Sequence, residues 1–208
     1  MKIAIEGMDG AGKSTVAREV ARRLGFKYVD SLLLDYLLEE GMTQAEVSAV
    51  RRAIDLCSDN ENSTVRAWFY GYANLFNLLH YSVDLVIDRH CLTTYYYNGD
   101  DESRWLFKVM QRIAGKPDIV IILRATEQTR IKRICGRNLN DKDLSSEMKL
   151  AYGYDKMEEA ARFLELNYRI VDTDDKEIAQ VTDEVMALIG GFIDGNVLVD
   201  DRKMQSAL

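Results

Sequence analysis

Short apolar segments alternate with amphipathic stretches along this chain. The apolar segments that predict β-strands are residues 2–6, 26–30, 83–88, 118–123 and 168–172. Between them, apolar positions recur at helical spacing, as at Val16, Val20 and Leu24. Nearly continuous apolar strands that alternate with helices are typical of a parallel sheet buried on both faces. The pattern therefore predicts an α/β fold: a five-stranded parallel sheet with helices on both faces.

The predicted helices set the organisation of the chain. They cover residues 15–24, most of 32–80, 102–114, a segment from 127, 147–166 and 176–189. Residues 1–190 are then expected to form a single domain, because this length is sufficient for one large core. The polar stretch at about 136–147 predicts a small LID segment. The Gly- and Asp-rich residues 191–208 predict a frayed tail.

A glycine-rich loop lies between the first predicted strand and the first predicted helix. Residues 7–14 read GMDGAGKS, which matches G-x-x-x-x-G-K-[ST] and predicts a P-loop NTP hydrolase or kinase fold. In such a loop, N–H groups converge on phosphate oxygens at a helix N-terminus. Lys13 would neutralise the outer phosphates of ATP, and the Ser14 hydroxyl would ligate Mg²⁺. The predicted ATP-binding residues of this segment are Gly7, Asp9, Gly10, Ala11, Gly12, Lys13, Ser14 and Thr15.

A second cluster follows the third predicted strand, which ends in Asp88 and Arg89. The carboxyl ends of parallel strands meet at the ligand-binding edge of such a sheet. Asp88 is therefore expected to hold a water of Mg²⁺, and the Arg89 fork fits phosphate oxygens. His90 is expected to orient the loop that follows. A surface ion pair or a helix cap is the alternative interpretation of Asp88 and Arg89.

Composition narrows the class of partner. The net charge of −7 argues against a surface for nucleic acid polymers or anionic membranes, and no apolar run approaches the length of a membrane span. Cys57, Cys91 and Cys135 lack metal-ligand spacing and are expected to be free thiols of a cytoplasmic protein. Because Met1 directly precedes the first strand, we expect no signal peptide.

Three segments together resemble the thymidylate kinases, which are P-loop nucleoside monophosphate kinases. They read IAIEGMDGAGKST from residue 3, DRHCLTTYYYNG from residue 88 and PDIVIILRATEQTRIKRICGR from residue 117. The second segment discriminates, because many kinases share the phosphate-binding loop. The resemblance implies that Arg89 contacts the acceptor phosphate and that Asp9 lies near the acceptor's sugar or phosphate. It also implies that Tyr97 and Asn98 lie near the acceptor's base or sugar.

Arg130, Arg133 and Arg137 follow one another at helical spacing, so they are predicted to share one helix face before the LID. Cations there would stabilise the charge of a transferring phosphoryl group. The family resemblance implies Arg133 at the adenine ring and Arg137 at the phosphates. Lys13, Arg89 and Arg137 are thus the predicted catalytic residues. A solvated basic face is the alternative.

Two features of the resembling family are absent. Its Arg-Glu-Pro-Gly-Gly-Thr segment after strand two is replaced by VDSLLLDYLLEEGM, and Ala73 or Asn74 stands where the family has an arginine for the acceptor phosphate. Arg66 is a candidate substitute for that arginine. The segment LGFKYVDS resembles instead the second strand of cytidylate kinases, which implies that Asp30 approaches the acceptor.

Residues 64–80 predict a helix that is apolar on nearly every side, with several aromatic residues. Such a stripe is more typical of a core or a subunit interface than of a base-stacking site. In the resembling family the equivalent helices form a homodimer, so we expect a homodimer here. Phe69 or Tyr70 is the candidate for stacking on the acceptor base, and Phe69 is the first choice.

These features predict an ATP- and Mg²⁺-dependent kinase for a pyrimidine (deoxy)nucleoside monophosphate, with dTMP as the first candidate. A phosphate acceptor is already ionised and needs no general base. The alternative enzyme is a (deoxy)nucleoside kinase, whose hydroxyl acceptor needs a base such as Asp30. A nucleotide-binding regulatory protein without transfer activity is the alternative of another class. The sequence leaves the acceptor and the oligomeric state open.

Overall fold

The computed structural model describes residues 1–30, 32–58, 60–137 and 153–205. Its strands are β1 (Lys2–Gly7), β2 (Lys27–Asp30), β3 (Leu85–Asp88), β4 (Ile119–Arg124) and β5 (Tyr168–Asp172). Its helices are α1 (Lys13–Leu24), α2 (Leu34–Glu39), α3 (Gln44–Ser58), α4 (Ser63–His80), α5 (Cys91–Asn98), α6 (Arg104–Ala114), α7 (Glu127–Arg137), α8 (Tyr154–Phe163) and α9 (Ile178–Gln205). In these ranges no helix combines the length and the apolar content needed to cross a bilayer.

The strands form one parallel sheet in the order β2-β3-β1-β4-β5. The central strand β1 pairs Ile5 with Asp88 of β3 and Gly7 with Leu123 of β4. The carboxyl end of β1, where the glycine loop begins, therefore lies between the ends of β3 and β4. The predicted five-stranded parallel sheet is confirmed.

Side chains of β1 alternate between two apolar layers. Ile3 and Ile5 pack on the side of α1 and α9, whereas Ala4 faces the layer built with α4, α5, α6 and α8. This alternation follows from the two-residue period of a strand. Both faces of the sheet are thus covered by helices, as the continuous apolar strands predicted.

The segment after β3 differs from the prediction, because it forms the helix α5 rather than a loop. Threonine and tyrosine have modest helix propensity, so the sequence of α5 alone does not predict a helix. Its N-terminus is stabilised from another strand. The Glu6 carboxylate accepts hydrogen bonds from the N–H groups of Leu92 and Thr93, at 2.8 and 3.1 Å. A tertiary contact thus supplies the cap that the local sequence lacks.

Two further predictions concern the second half of the chain. The sequence predicted that the last helix ends at Ile189, but α9 continues through Gly190 and Gly191 to Gln205. A glycine inside a helix costs about 1 kcal/mol relative to alanine, which lowers helix propensity without ending the helix. The predicted LID covers about residues 136–147. Beyond Arg137, it lies outside the residues that the structure describes.

Candidate active site

The loop between β1 and α1 has the conformation that a phosphate cradle requires. Gly7 has φ +141°, and a Cβ there would lie 2.4 Å from the carbonyl oxygen of Leu123. Gly10 has φ +83°, and a Cβ there would lie 2.8 Å from the carbonyl oxygen of Arg130. Any other residue at either position would be strained and would also clash with backbone. Because these two glycines have no side chain, the loop can pack directly against β4 and α7.

Lys13 begins α1 and is almost completely buried beneath this loop. Its ammonium group donates a hydrogen bond to the carbonyl oxygen of Met8 at 2.7 Å and lies 3.5 Å from Asp9 Oδ1. Burial, with the nearby Arg89, lowers the pKa of Lys13 to about 8. The ammonium form still predominates at neutral pH, so Lys13 provides a desolvated cation at the loop.

Asp9 joins the loop to the segment after β3. Its Oδ1 lies 2.9 Å from Nη1 of Arg89, and its Oδ2 accepts a hydrogen bond from the Tyr97 hydroxyl at 2.8 Å. Burial and the Asp9 charge raise the pKa of Tyr97, which keeps its hydroxyl in the donor form. Arg89 has φ +69°, an unusual conformation for a residue with a side chain. One carboxylate thus orients two predicted acceptor residues.

Asp88 is buried at the end of β3 and has an asymmetric environment. Its Oδ2 accepts a hydrogen bond from the Tyr28 hydroxyl at 3.0 Å, whereas its Oδ1 is buried without a hydrogen-bond partner among the described residues. A buried carboxylate oxygen without a partner is energetically unfavourable unless a cation or a hydrogen-bond donor binds to it. This oxygen and the hydroxyl of Ser14 are both hard oxygen donors, the type that Mg²⁺ and its bound waters prefer, so the two residues suit the predicted magnesium site.

A cleft of about 460 Å³ opens beside the loop. Both the phosphate-binding loop and Arg133, the residue predicted at the adenine ring, line this cleft. Its lining includes the loop residues 10–15, Arg89, Arg133, Arg137 and Thr173. Arg133 donates to the hydroxyl and the carbonyl oxygen of Thr173, at 2.9 and 2.6 Å, which holds it at the wall formed by the β5–α9 connection.

The three arginines of α7 have different environments. Arg130 is completely buried, Arg133 is half-buried and Arg137 is exposed at the end of the helix. The alternative interpretation, a solvated basic face, therefore does not hold for Arg130, which is buried and packs against Gly10. Arg133 and Arg137 both reach the cleft.

The other side of the site lies between β2, α4 and α5. Asp30 ends β2 opposite Asp88 in the strand register, and its backbone carbonyl accepts a hydrogen bond from Asn77 at 2.9 Å. Burial, reinforced by Asp35, raises the pKa of the Asp30 carboxyl. Phe69 lies on α4 with its ring edge-to-face against Tyr70 at 5.4 Å, and it is partly exposed.

Ala73 and Asn74 are the two candidates for the position of the family's additional arginine, and both are buried. Asn74 donates a hydrogen bond to the hydroxyl of Thr94 at 3.0 Å. Arg66, the candidate substitute for that arginine, contacts other residues of the protein in this structure. Its Nε donates to Asn98 Oδ1 at 3.0 Å, and its Nη1 donates to the carbonyl oxygen of Glu61 at 3.1 Å. Arg66 therefore fastens α4 to the end of α5.

Sequence reasoning missed Glu6, although a charged residue within an apolar strand was a signal. Besides its two backbone contacts, Glu6 accepts a hydrogen bond from the Thr93 hydroxyl at 2.6 Å, and burial raises its pKa. Ligand atoms of Glu6, His90 and Cys91 lie within 4.8 Å of one another. Both Glu6 oxygens are already used to hold α5, so we assign Glu6 a positioning role rather than a metal-binding one.

The sequence profile of the AAA_18 family, described as an AAA domain, matches residues 3–160. The chain belongs to this family. A probable thymidylate kinase from Thermoplasma acidophilum is 26% identical over 72% of the chain and 78% of that protein. A putative adenylate kinase from Pyrococcus furiosus is 44% identical, over 26% of the chain and 29% of that protein. A deoxyadenosine kinase from M. mycoides, solved with bound dATP, superposes with a TM-score of 0.62 at 19% identity, over 91% of the chain and 99% of that structure.

These matches confirm the predicted resemblance to thymidylate kinase and to P-loop kinases more widely. The likeness to the solved kinase supports the fold alone, because its sequence identity is low. The chain spans less than a third of the Pyrococcus protein, so that match concerns a local segment. These matches do not identify the acceptor, so a proposal for the acceptor depends on the geometry of the site.

Proposed function

We propose that the protein transfers the γ-phosphoryl group of ATP to a pyrimidine (deoxy)nucleoside monophosphate, with dTMP as the first candidate. The observation that carries the proposal is the position of Asp9 between two cations. Its Oδ1 lies 3.5 Å from Lys13 and 2.9 Å from Arg89. Lys13 belongs to the phosphate loop and Arg89 follows β3, so the two cations bracket the space where donor and acceptor phosphates would meet.

On the donor side, the N–H groups of the loop and Lys13 bind the phosphates of ATP, and Arg133 lies beside the adenine. Arg137 approaches the transferring group from the end of α7. Ser14 and Asp88 would hold Mg²⁺, which neutralises charge on the phosphate oxygens when bound. A phosphate acceptor requires no general base. Positioning and charge stabilisation would therefore supply most of the catalysis.

On the acceptor side, Arg89 binds the monophosphate, and Tyr97 and Asn98 lie towards the nucleoside. Phe69 is the proposed stacking residue. The environment of Asp30 favours a second candidate, a (deoxy)nucleoside kinase. The Asp30 carboxyl lies at the ligand-binding edge of the sheet, and the raised pKa of this carboxyl is closer to the range of a general base.

The test is acceptor-dependent release of ADP from Mg·ATP by the purified protein near physiological salt. The acceptors are dTMP, dUMP, CMP and dCMP, together with the corresponding nucleosides. A large rate that is selective for one monophosphate supports the proposal and names the acceptor. Selective turnover of a nucleoside supports the second candidate. Tight ATP binding without release for any acceptor contradicts both and favours a nucleotide-binding regulatory protein.

We also propose a homodimer through α4. Val65, Trp68 and Tyr72 share one face of this helix and are 48%, 46% and 62% exposed. Apolar surface of this size on one helix is typical of an interface. We expect light scattering to give a dimer mass for the wild type and half that mass for Trp68→Glu. Val83→Glu, at an exposed apolar position outside the helix, is the control, and a monomeric wild type would contradict the proposal.

A further inference from the structure

We propose that Tyr28 is a positioning residue for the cation site: its hydroxyl fixes the Asp88 carboxylate so that Oδ1 faces the metal. The inference rests on the proposed function, because that function assigns Asp88 to Mg²⁺. Tyr28 lies on β2, in the strand next to β3, with its backbone in register with Val86. Its side chain reaches two residues further along β3 and donates to Asp88 Oδ2 at 3.0 Å.

The environment of the carboxylate supports this role. One oxygen is occupied by the Tyr28 hydroxyl, and the other is buried and without a hydrogen-bond partner in the described residues. A carboxylate anchored at one oxygen presents the other in a fixed direction. Groups that orient metal ligands in this way typically change metal affinity or activity by about 10- to 100-fold when they are removed.

The Tyr28 ring is itself held by the helix that carries Ser14. The guanidinium carbon of Arg18 lies 4.0 Å from the centre of the Tyr28 ring, in the geometry of a cation–π contact. Arg18 follows Ser14 by one helical turn, so both lie on the same face of α1. The ring thus contacts Asp88 through its hydroxyl and Arg18, on the helix that carries Ser14, through its face.

The experiment compares the wild type with Tyr28→Phe, which keeps the ring and removes the hydroxyl. The affinity for ADP is measured by calorimetry with EDTA and again with saturating Mg²⁺, and the ratio of the two gives the gain due to the metal. Binding of Mn²⁺ to the protein–ADP complex is followed by electron paramagnetic resonance. We expect the affinity in EDTA to stay within about two-fold, whereas the metal-dependent gain falls about ten-fold. Tyr168→Phe, which removes a hydroxyl on β5, should change neither quantity.

Arg18→Gln removes the cation over the ring and should lower the metal-dependent gain by a smaller factor, about three-fold. An unchanged gain in Tyr28→Phe overturns the inference, even if the variant melts at a lower temperature, because a purely structural hydroxyl would act in that way. Binding and turnover are read separately. If the wild type releases no ADP with any acceptor but Tyr28→Phe loses the metal-dependent gain, the inference stands and the proposed function fails. If the wild type is an active kinase and the gain is unchanged, only the inference fails.

Discussion

The proposed donor side and the proposed acceptor side of the site are built in different ways. On the donor side, one contiguous loop of eight residues supplies the glycines, the buried Lys13 and the hydroxyl of Ser14. On the acceptor side, Arg89 and Tyr97 depend on a partner far away in sequence, because both contact Asp9. A local motif can therefore be recognised from sequence. A site assembled by tertiary contacts is defined only when the strands and helices are in place.

The largest effect is expected from Lys13→Ala on the donor side. Removing the cation of the phosphate loop should lower turnover about a thousand-fold, since it acts on charge in the transition state. The fold should persist, because the substitution also removes a buried ammonium whose desolvation is costly. Acceptor-dependent ADP release and a thermal melt measure the two effects.

Lys116→Ala is the matched control, because the Lys116 side chain is substantially exposed and distant from the loop in sequence. Its turnover should equal that of the wild type. If Lys13→Ala kept more than a tenth of wild-type turnover while remaining folded, the donor side as described would be wrong.

On the acceptor side, Arg89→Lys should lower kcat/KM for the acceptor about a hundred-fold and leave the KM for ATP nearly unchanged. Lysine keeps the charge but loses the fork that contacts Asp9 and is proposed to bind the acceptor phosphate. Steady-state kinetics with each substrate varied in turn separates these constants. Arg162→Lys, at an exposed position on α8, is the control. A rise in the KM for ATP alone would move Arg89 to the donor side.

The same division explains how much the sequence could predict. The inner strands β1, β3 and β4 are buried on both faces, so their apolar runs are continuous in the sequence. The loop motif is recognisable because it lies directly between a predicted strand and a predicted helix. The helix α5 was missed because its cap is Glu6, which lies 86 residues before Leu92. Tyr28 was missed because its contact with Asp88 spans 60 residues. The first contact joins a strand to a helix and the second joins two strands, and no local pattern encodes either contact.

A smaller effect is expected at His90, which is buried beside Glu6 at the start of α5. Burial lowers the pKa of His90 to about 4. Between its ordinary pKa of 6.5 and about 4, the unfolded chain binds a proton that the native protein does not bind, so the free energy of unfolding falls as the pH falls. Glu6, whose pKa is raised, contributes with the opposite sign above pH 4.5.

We therefore expect the wild type to lose about 2 kcal/mol more stability than His90→Phe between pH 7 and pH 4.5, since each pKa unit corresponds to about 1.4 kcal/mol. Urea unfolding of both proteins at the two pH values measures this difference, and the Glu6 contribution is common to both. His80→Phe, at the exposed histidine of α4, should keep the wild-type pH dependence. Equal losses of stability in the wild type and His90→Phe would show that His90 is protonated at pH 4.5 in the native protein as it is in the unfolded chain.

The smallest effect is expected from Asp30→Asn, and its smallness decides between the two candidate enzymes. The substitution keeps the side chain's size and an oxygen that accepts from Leu32, and it leaves untouched the backbone carbonyl that Asn77 contacts. A monophosphate acceptor has no proton to give up, so turnover of dTMP should change by less than about three-fold. A nucleoside acceptor must lose its hydroxyl proton, and general-base catalysis typically contributes about 10²- to 10⁴-fold. Turnover measured with dTMP and with thymidine on the same preparation therefore assigns Asp30. A hundred-fold or greater loss of turnover with thymidine would make Asp30 the base of a nucleoside kinase. The acceptor side would then perform chemistry as well as binding.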